Sequence, residues 1–468
     1  MNNIAFFLLF VLGSIPVFSQ TSPEKLRVLV LSDIEADPDD SQSLTRFLTY
    51  ANEWDIEGII ATTSIHQKNW VAPETMHAII DGYRASYDNL IKHAKGYPDA
   101  QKLHNLVKKG LPLYGMEAVG KGHDSEGSEH IIHVLEKKDD RPLWVCVWGG
   151  PNVLAQALWK IKETKPQKEV DRLVEKLRVY TISDQDDSGP WLRKSFPNLF
   201  YICSPGYTYG NASWVGIAAD LPGSNTEVVS DQWLAENIQQ GHGPLGTKYP
   251  DVAYIMEGDT PTFLYLIPNG LNTPENPNYG GWGGRYEHYT PTLKPEKTWR
   301  KDWPETKQET RPLWTNAIDS VYVTKKDSTY ASPYVTVWRW REEFQNDFAA
   351  RMDWTVKSFD EANHPPIPEL AHADEVEVKS GEGFYLNAAG TTDPDGDSLS
   401  YYWFHYKEAG TYSGTVSFAP YAQNMYRVKF TAPEVSKKET LHFILKVTDK
   451  GTPALTRYKR VIVTVLPK

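Results

Sequence analysis

This sequence has few cysteines and no excess of positive charge, and each of these absences excludes some classes of protein. Only Cys146 and Cys203 occur among 468 residues, so no disulfide framework is expected. Both lie in apolar runs typical of strands, which predicts two buried free thiols. Lys and Arg total 49 against 60 Asp and Glu, giving a net charge of −11. Without a basic stripe to neutralise phosphates, we expect neither a nucleic acid nor an anionic membrane surface as partner.

Long apolar runs are also missing beyond the N-terminus. Residues 1–20, MNNIAFFLLFVLGSIPVFSQ, contain one apolar run ended by small and polar residues, which is the pattern of a secretory signal peptide. The run is too short and too interrupted by Gly and Pro to span a bilayer comfortably. We therefore expect cleavage near Ser19 or Gln20, a mature chain without a membrane span, and a secreted or periplasmic location.

Tyrosine and tryptophan, by contrast, are plentiful, with 26 Tyr and 16 Trp. Flat rings with a polar edge suit the apolar faces of sugars as well as protein cores. We expect most of these rings to pack in the core and a minority to line a carbohydrate site.

The first half of the chain alternates short apolar runs with amphipathic segments of helical period. Strands are predicted at 27–32, 56–63, 142–150, 177–183 and 199–204, and helices at 41–53, 73–93, 125–137, 151–163 and 187–196. This alternation predicts an α/β domain over residues 21–363, built on a doubly wound, mainly parallel sheet. Residues 268–312 lack periodicity and are expected to form a long ordered loop, after which a helix resumes near Trp338.

The segment HPPIPEL, residues 364–370, marks a domain boundary, because consecutive prolines stiffen the backbone and stop helices. Beyond it, VEVKS, FYLNA, LHFILKVTD and KRVIVTVLP alternate apolar and polar residues. That pattern predicts a small immunoglobulin-like β-sandwich over residues 364–468. We expect this module to dock on the preceding helix rather than swing freely, and the α/β domain to fold without it.

The densest chemical signal is the stretch SDIEADPDD, residues 32–40. It places Asp33, Glu35, Asp37, Asp39 and Asp40 directly after the first predicted strand, at the edge where parallel sheets bind ligands. Carboxylates this close raise one another's pKa unless a cation lies among them. Calcium suits such a site because it takes many oxygen ligands in irregular geometry. The alternative is an acidic helix N-terminus, in which Asp39 and Asp40 interact with the helix dipole.

This stretch resembles the opening motif of the nucleoside hydrolases, Asp-x-Asp-Pro-Gly-x-Asp-Asp, which binds calcium. It is more closely similar to the nucleoside-hydrolase-like proteins described as cellulose-binding, which add a C-terminal β-sandwich. Asp39 and Asp40 match the terminal Asp pair of the motif. Asp33 and Glu35 stand where the family has two earlier Asp residues, one of which is the general base. The resemblance therefore implies calcium as a cofactor and a catalytic base that is either Asp33 or Glu35.

Two further stretches are similar to the same family. EGDTP, residues 257–261, is similar to the segment that supplies the last calcium carboxylate. Glu257 or Gly258 then stands near the position of the family's catalytic His, and we assign Glu257 to substrate binding. WGGPN, residues 148–152, follows a strand like the family's turn that completes the calcium shell, and Asn152 is likewise assigned to substrate binding. The metal ligands implied by the resemblance are Asp33, Asp39, Asp40 and Asp259.

Other candidate substrate contacts lie at further strand ends and in one glycine-rich loop. They are Ser64, His66 and Asn69 after the second strand, Asp184 and Asp186 in SDQDDSGPW, and Trp282 in NYGGWGGRYEHY. A turn or capping role is an equal alternative for the first three, and helix capping competes for the acidic stretch. The loop around Trp282 is expected to form a pocket wall or lid.

One acidic turn lies in the predicted sandwich. In TDPDGDSLSYYW, Asp393, Asp395 and Asp397 either bind calcium or stabilise a tight turn, and the sequence favours the turn.

Two functions of different classes follow from these features. The first is an exported, calcium-dependent hydrolase of a glycosidic or N-glycosidic bond, acting on carbohydrate, in which a carboxylate takes a proton from the attacking water. The second is a non-catalytic cellulose- or carbohydrate-binding protein that uses the same fold and ion to hold a glycan. The missing family His favours the second, and the dense carboxylate cluster favours the first.

Overall fold

The computed structural model describes residues 24–207, 209–293, 308–416, 418–420 and 424–468. The predicted signal peptide, residues 1–20, lies outside these ranges. Within them, no helix combines the length and the apolar composition needed to cross a membrane. The described chain forms a large α/β region followed by a β-sandwich region, as the sequence predicts.

An eight-stranded sheet forms the centre of the α/β domain. Its strands are β1 (Leu26–Ser32), β2 (Trp54–Ala61), β3 (Val107–Lys109), β4 (Leu143–Val147), β5 (Leu177–Ser183), β6 (Phe200–Ser204), β7 (Tyr286–Tyr289) and β8 (Leu313–Asn316). They lie in the order β3-β2-β1-β4-β5-β6-β8-β7, and all neighbours are parallel except β7 with β8. The order reverses beside β1, which confirms the doubly wound, mainly parallel sheet.

Helices cover both faces of this sheet. They are α1 (Asp39–Thr49), α2 (Pro73–His93), α3 (Ala100–Leu106), α4 (Glu126–Glu136), α5 (Asn152–Thr164), α6 (Gln167–Glu175), α7 (Ser188–Ser195), α8 (Asp231–Leu234), α9 (Gly243–Gly246), α10 (Pro261–Leu264), α11 (Val335–Trp338) and α12 (Arg341–Asp353). On β1, Val28 and Val30 pack in one core while Leu29 and Leu31 pack in the other. Burial on both faces explains why this strand has a continuous apolar sequence.

The two cysteines are free and buried, as predicted. Cys146 lies on β4, and burial raises the pKa of its thiol to about 12. Cys203 lies on β6, where burial also raises the thiol pKa. Both side chains therefore act as small core residues rather than as nucleophiles.

The stretch 268–312 is not one continuous loop, contrary to the expectation from its sequence. In its described part, residues 268–293 and 308–312, β7 pairs antiparallel with β8, which follows the stretch directly and pairs parallel with β6 through Ile202 and Trp314. Each of these two strands has only four residues, and β7 is the edge strand of the sheet. The sequence of β7, YEHY, contains no apolar run, so its strand character left no periodic signal.

Nine more strands follow, a hairpin and then the sandwich. They are β9 (Asp319–Val323), β10 (Ser328–Ser332), β11 (Glu375–Lys379), β12 (Gly383–Asn387), β13 (Ser400–His405), β14 (Phe418–Pro420), β15 (Arg427–Thr431), β16 (Glu439–Thr448) and β17 (Thr456–Leu466). The first two pair as an antiparallel hairpin. The others form a four-stranded sheet, β11-β17-β16-β13, and a three-stranded sheet, β12-β15-β14, which confirms the predicted sandwich.

Both faces of the larger sandwich sheet pack against a hydrophobic core. On β16, Leu441, Phe443 and Leu445 face the core between the two sandwich sheets. Ile444, between them, instead joins the hydrophobic core of the α/β domain, and so does Tyr458 of β17. The sandwich therefore lies with one sheet face directly on the α/β domain.

Polar contacts reinforce this junction. Arg457 of β17 forms an ion pair with Asp347 of α12 at 2.5 Å, with both side chains largely buried. The Tyr406 hydroxyl donates a hydrogen bond to Asp319 at 2.6 Å. The junction combines a continuous apolar core with buried charge pairs, which is typical of a fixed interface rather than of a mobile tether.

We expect the two domains to unfold together. Removing residues 364–468 would expose the core around Trp340, whose ring centroid lies 5.9 Å from those of Tyr406 and Tyr458. The expectation that the α/β domain folds without the sandwich stays a prediction, and this shared core favours the opposite outcome. Scanning calorimetry should give one transition for the full chain, and truncation at Asn363 should give an insoluble or strongly destabilised product. Two separate transitions, or a stable truncated chain, would contradict a shared core.

Candidate active site and metal centre

Several acidic and small residues meet at the carboxyl ends of β1, β4 and β5. Open α/β sheets bind ligands where the strand order reverses, which here is beside β1. Residues 33–40 follow β1, residues 148–152 follow β4, and residues 184–188 follow β5. Residues 257–260 join them from a distant part of the chain, through the Gly258 amide that donates to Asp39 at 3.1 Å.

The first group at this edge is a buried carboxylate cluster. Asp33, Asp40 and Asp259 are each 2% exposed, and Asp39 is 8% exposed. Carboxylate oxygens of Asp37, Asp39 and Asp40 lie within 4.8 Å of one another. Of the four predicted metal ligands, Asp39 and Asp40 therefore lie at this point together with Asp37, while Asp33 and Asp259 are near enough to interact electrostatically with them.

Hydrogen bonds satisfy only part of this cluster. The Ser32 hydroxyl donates to Asp40 Oδ1 at 2.5 Å. The backbone amide of Asp39 donates to Asp37 Oδ1 at 3.1 Å. Asp259 Oδ2 is buried and accepts no hydrogen bond from any of the described residues. A buried carboxylate oxygen without a donor is costly unless a cation or a proton compensates it.

Burial dominates the electrostatics of the cluster. It raises the pKa of Asp33 to about 6, and it raises the pKa of Asp39, Asp40 and Asp259 well above the ordinary value. Repulsion between the neighbouring carboxylates adds to each rise. All the side-chain atoms that could ligate a metal here are oxygens, and one of them, Asp259 Oδ2, accepts no hydrogen bond from the described residues. The residues therefore fit a hard divalent cation such as calcium.

Calcium and protons should compete for this cluster. The pKa values of these carboxyl groups are higher in the folded than in the unfolded chain, so the calcium-free folded state binds more protons than the unfolded state. The stability of the calcium-free protein should therefore fall as the pH rises from about 4, the unfolded pKa, through the folded pKa values. Added calcium should therefore raise the melting temperature most at about pH 8 and progressively less toward about pH 5. Thermal shift assays with calcium or chelator across this range test it, and a calcium effect independent of pH would contradict it.

The two candidates for the catalytic base have different surroundings. The Asp33 carboxylate lies against Gly149, where an added Cβ would come within 2.6 Å of Asp33 Oδ1. Glu35 is exposed, has a left-handed φ of 79°, and accepts a hydrogen bond from the Thr75 hydroxyl on α2. Only Asp33 belongs to the buried cluster, and Glu35 points toward α2.

A further carboxylate faces the same glycine turn. At Gly150 an added Cβ would come within 2.2 Å of Asp186 Oδ2, so Asp33 and Asp186 flank adjacent glycines. Asp186 Oδ1 accepts hydrogen bonds from the amide and hydroxyl of Ser188 at 2.8 and 2.5 Å. Asp186 Oδ2 is buried with no hydrogen-bond partner in the part of the chain that the structure describes. Burial raises the pKa of Asp186 to about 7, so it holds a proton near neutral pH.

Two predicted substrate contacts instead stabilise the loops around the site. Asp184 accepts hydrogen bonds from the Arg193 guanidinium at 2.8 and 3.0 Å and from the Gly206 amide at 3.1 Å. Asn152 accepts from the Thr62 hydroxyl at 2.5 Å, and its amide nitrogen donates to the Leu113 carbonyl at 2.9 Å. Both side chains are buried and fully engaged, so they support the site rather than face a ligand.

Glu257 is also an interior residue, contrary to its assignment to substrate binding. It is completely buried, forms an ion pair with Arg46 at 2.8 Å and accepts a hydrogen bond from the Tyr249 hydroxyl at 2.8 Å. Its neighbour Gly258 carries the amide that binds Asp39. Glu257 thus anchors the segment that delivers Asp259 to the cluster.

Trp282 does not form a pocket wall or lid. Its side chain is 0% exposed, and its indole N–H donates to the Tyr458 hydroxyl at 3.2 Å. The ring also packs edge-on against Phe344 of α12. The glycine-rich loop therefore inserts Trp282 between the α/β domain and the sandwich, where protein covers the ring and it cannot stack on a sugar.

Residues after β2 form the rim of the site. Ser64 is buried, and its hydroxyl accepts hydrogen bonds from the amides of His66 and Gln67, as a turn residue does. The same hydroxyl offsets part of the rise in the pKa of Asp33. His66 and Asn69 are exposed, and His66 Nε2 lies 3.2 Å from the Tyr209 hydroxyl.

The sequence patterns missed the aromatic residues that cover the cluster. The Trp214 ring packs against Gly258, where an added Cβ would lie 3.0 Å from it. The indole N–H of Trp214 donates a hydrogen bond to the Ser183 hydroxyl at 3.0 Å. Its ring packs on that of Tyr209 at 5.4 Å between centroids. Both lie in the irregular stretch after β6, which has no periodicity that would have revealed them.

The doubly wound sheet with an acidic centre at the strand-order reversal defines a nucleoside-hydrolase-like α/β protein. Residues 27–286 match the family described as cellulose-binding Sde182, nucleoside hydrolase-like domain, and residues 383–465 match the C-terminal domain of cellulose-binding protein Sde0182. The chain belongs to this Sde182 family.

Comparison with solved structures agrees with this assignment. A nucleoside hydrolase-related hypothetical protein from Saccharophagus degradans, associated with carbohydrate metabolism, is 36% identical, with a TM-score of 0.78 over 94% of this chain and 100% of that one. The effector protein XOO4466 is far more distant, at 10% identity and a TM-score of 0.38 over 72% of this chain and 95% of that one. The search of curated proteins found no match to this chain.

Proposed function

We propose that this protein is an exported, calcium-dependent hydrolase that cleaves a glycosidic or N-glycosidic bond in a carbohydrate. The observation that carries the proposal is a cluster of buried carboxylates: oxygens of Asp37, Asp39 and Asp40 lie within 4.8 Å of one another, and the neighbouring Asp259 has an oxygen without a donor among the described residues. Membership of a nucleoside-hydrolase-like family supports hydrolysis at an anomeric carbon. The relative associated with carbohydrate metabolism supports a sugar substrate.

Asp33, Asp39, Asp40 and Asp259 are the residues that would hold the ion. Bound there, calcium would supply positive charge that orients sugar hydroxyls and favours ionisation of water. Asp33 takes the proton of the attacking water, since it is the cluster member that borders the Gly149 turn and has a pKa near 6. The water oxygen then bonds to the anomeric carbon as the bond to the leaving group breaks.

Asp186 supplies the proton that the leaving group needs. It lies beside Gly150, next along the turn from the Gly149 that Asp33 contacts, and its unpartnered Oδ2 is directed at that turn. Burial raises the pKa of Asp186 to about 7, so a large fraction of this side chain carries a proton near neutral pH. Two carboxyl groups beside one turn, of which one gives and the other takes a proton, are the arrangement that acid and base catalysis at one bond requires.

Asp186→Asn should therefore discriminate between substrates by their leaving groups. With alkyl or sugar leaving groups, which need protonation, turnover should fall by about 10²-fold or more. With nitrophenyl leaving groups, which depart unprotonated, the loss should be much smaller. Steady-state kinetics on such a matched pair of substrates measures the difference, and equal losses on both would assign Asp186 a structural role instead.

A substrate panel tests the hydrolase proposal itself. Aryl glycosides, oligosaccharides including cellulose fragments, and nucleosides should be assayed for release of reducing sugar, nitrophenol or free base, with calcium and with chelator. We expect at least one substrate to be cleaved with calcium and not with chelator. If no member is cleaved although glycans still bind, the proposal fails.

A non-catalytic carbohydrate-binding role is the second candidate, and a different surface favours it. A cleft of about 350 Å³ between the β9–β10 hairpin and the sandwich is lined by Tyr322 and Tyr402, each 61% exposed. Tyr402 stacks on Phe404 at 5.7 Å, which presents a flat aromatic surface. If this cleft binds cellulose, Tyr322→Ala and Tyr402→Ala should weaken retention on cellulose, whereas Tyr254→Ala, at an unrelated exposed tyrosine, should not.

A further inference from the structure

Three buried side-chain oxygen atoms without hydrogen-bond partners among the described residues lie in segments near the junction between the α/β domain and the sandwich. Asn363 is 6% exposed and Asp449 is 0% exposed, and both belong to segments that join here. Asn363 Oδ1, Asp449 Oδ2 and Asp393 Oδ2 are each buried with no hydrogen-bond partner among the residues that the structure covers. A buried carboxylate or amide oxygen without a donor is costly, so an occupant that supplies positive charge would stabilise each of these three atoms.

The three atoms belong to one locality. The Asn363 amide nitrogen donates to Asp449 Oδ1 at 3.1 Å, so these two side chains are in direct contact. Burial raises the pKa of Asp449, and the nearby charge of Asp393 adds to the rise. Asn363 also lines a cavity of about 400 Å³ together with Asp395 and Asp397.

The acidic turn supplies the remaining oxygens. Carboxylate oxygens of Asp393, Asp395 and Asp397 lie within 4.8 Å of one another. Asp393 Oδ1 accepts hydrogen bonds from the amides of Asp395 and Asp397 at 2.9 and 3.0 Å, which accounts for the tight turn. A turn role leaves Asp393 Oδ2 unexplained. Asp449 Oδ1 accepts hydrogen bonds from the Gly451 and Leu455 amides, and the Asn363 amide nitrogen donates to the Pro453 carbonyl, but Asp449 Oδ2 and Asn363 Oδ1 have no partner among the described residues.

We propose that Asn363, Asp393, Asp397 and Asp449 form a second cation site, separate from the acidic centre of the α/β domain, and that it binds calcium. All the donors are carboxylate or amide oxygens, which a hard cation prefers, and they contain no His or Cys that would favour zinc. The site is independent of the proposed hydrolase function, because none of these residues belongs to the cluster around Asp39.

Asp395 connects this site to the α/β domain by a second route. Its carboxylate accepts hydrogen bonds from the His364 amide at 2.7 Å and lies 3.0 Å from His364 Nδ1. His364 Nε2 in turn lies 2.9 Å from Nδ1 of His93, the last residue of α2. A cation among the neighbouring oxygens therefore fixes the linker to both sandwich loops, and calcium should strengthen the docking of the sandwich.

Calcium stoichiometry of the full chain tests this site. Isothermal titration and elemental analysis after dialysis should find two bound calcium ions in the wild type, and Asp393→Asn or Asp397→Asn should each remove one. Asp374→Asn, an exposed carboxylate elsewhere in the same domain, is the matched control and should keep both. In Asp39→Asn, which lacks a ligand of the other centre, the junction ion should remain.

The results separate the two centres. One ion that is lost in Asp39→Asn and retained in Asp397→Asn overturns the junction site. One ion that is retained in Asp39→Asn and lost in Asp397→Asn supports the junction site and shows that the acidic centre does not bind calcium. If Asp393→Asn fails to fold, two measurements still test the junction site. One is the number of calcium ions bound by the wild type, and the other is the number bound by Asp397→Asn, because the Asp397 side chain is only partly buried.

Discussion

Asp33→Asn should lower turnover on a confirmed substrate by about 10²- to 10⁴-fold, the largest effect that we expect of any single substitution. Asn keeps the size of the side chain and an oxygen that can face the cation, but it cannot accept the proton of the attacking water. Asp33 is 2% exposed and borders the Gly149 turn, so a base from the solvent has little access to take over its role as proton acceptor.

Glu35→Gln is the matched control for this substitution. It removes the same charge two residues away, but Glu35 is exposed and bonded to Thr75 on α2. Its turnover should remain close to that of the wild type. The measurement is steady-state kinetics at saturating calcium, with the calcium content of each variant checked. A large loss in Glu35→Gln with an active Asp33→Asn would move the base to Glu35.

Asp39→Asn should have the second largest effect, and on a different quantity. It removes a charged ligand from the cluster, so calcium affinity and activity should fall together. At calcium concentrations about 100 times the Kd, the bound ion stabilises the wild type by about 2.7 kcal/mol, and the variant should lose most of this gain. Isothermal titration and thermal shift assays measure both.

Asp88→Asn controls for the loss of one negative charge. Asp88 is exposed on α2, away from the cluster, and its substitution should leave calcium affinity unchanged. If Asp39→Asn also binds calcium like the wild type, Asp39 serves only as an acidic residue at the start of α1. That was the alternative that its sequence position left open.

The sequence was sufficient to predict the fold and the cluster because both depend on local patterns. The apolar run of β1, buried on both faces, is followed at once by Asp33, Asp39 and Asp40, so strand, sheet edge and carboxylates lie within 15 residues of one another. Asp259 was placed through resemblance to a known motif, since nothing in its own neighbourhood reveals a partner more than 200 residues away.

Side-chain roles that depend on distant partners could not be predicted. Glu257 looked available for a substrate until Arg46, 211 positions earlier, neutralised it in the interior. Trp282 lies in a glycine-rich stretch typical of a surface loop, but the sandwich supplies Tyr458 to bury it. In both cases the deciding contact comes from another segment, and no periodicity or spacing in a single sequence encodes it.

The central claim is that a calcium ion lies among Asp33, Asp39, Asp40 and Asp259. Its most direct test is anomalous diffraction at long wavelength from crystals of the wild-type protein grown with calcium. We expect an anomalous peak bounded by these carboxylates, with Asp259 Oδ2, now without a donor among the described residues, within bonding distance of it. A map without a peak there, with Asp259 Oδ2 instead hydrogen-bonded to protein or water, would contradict the claim.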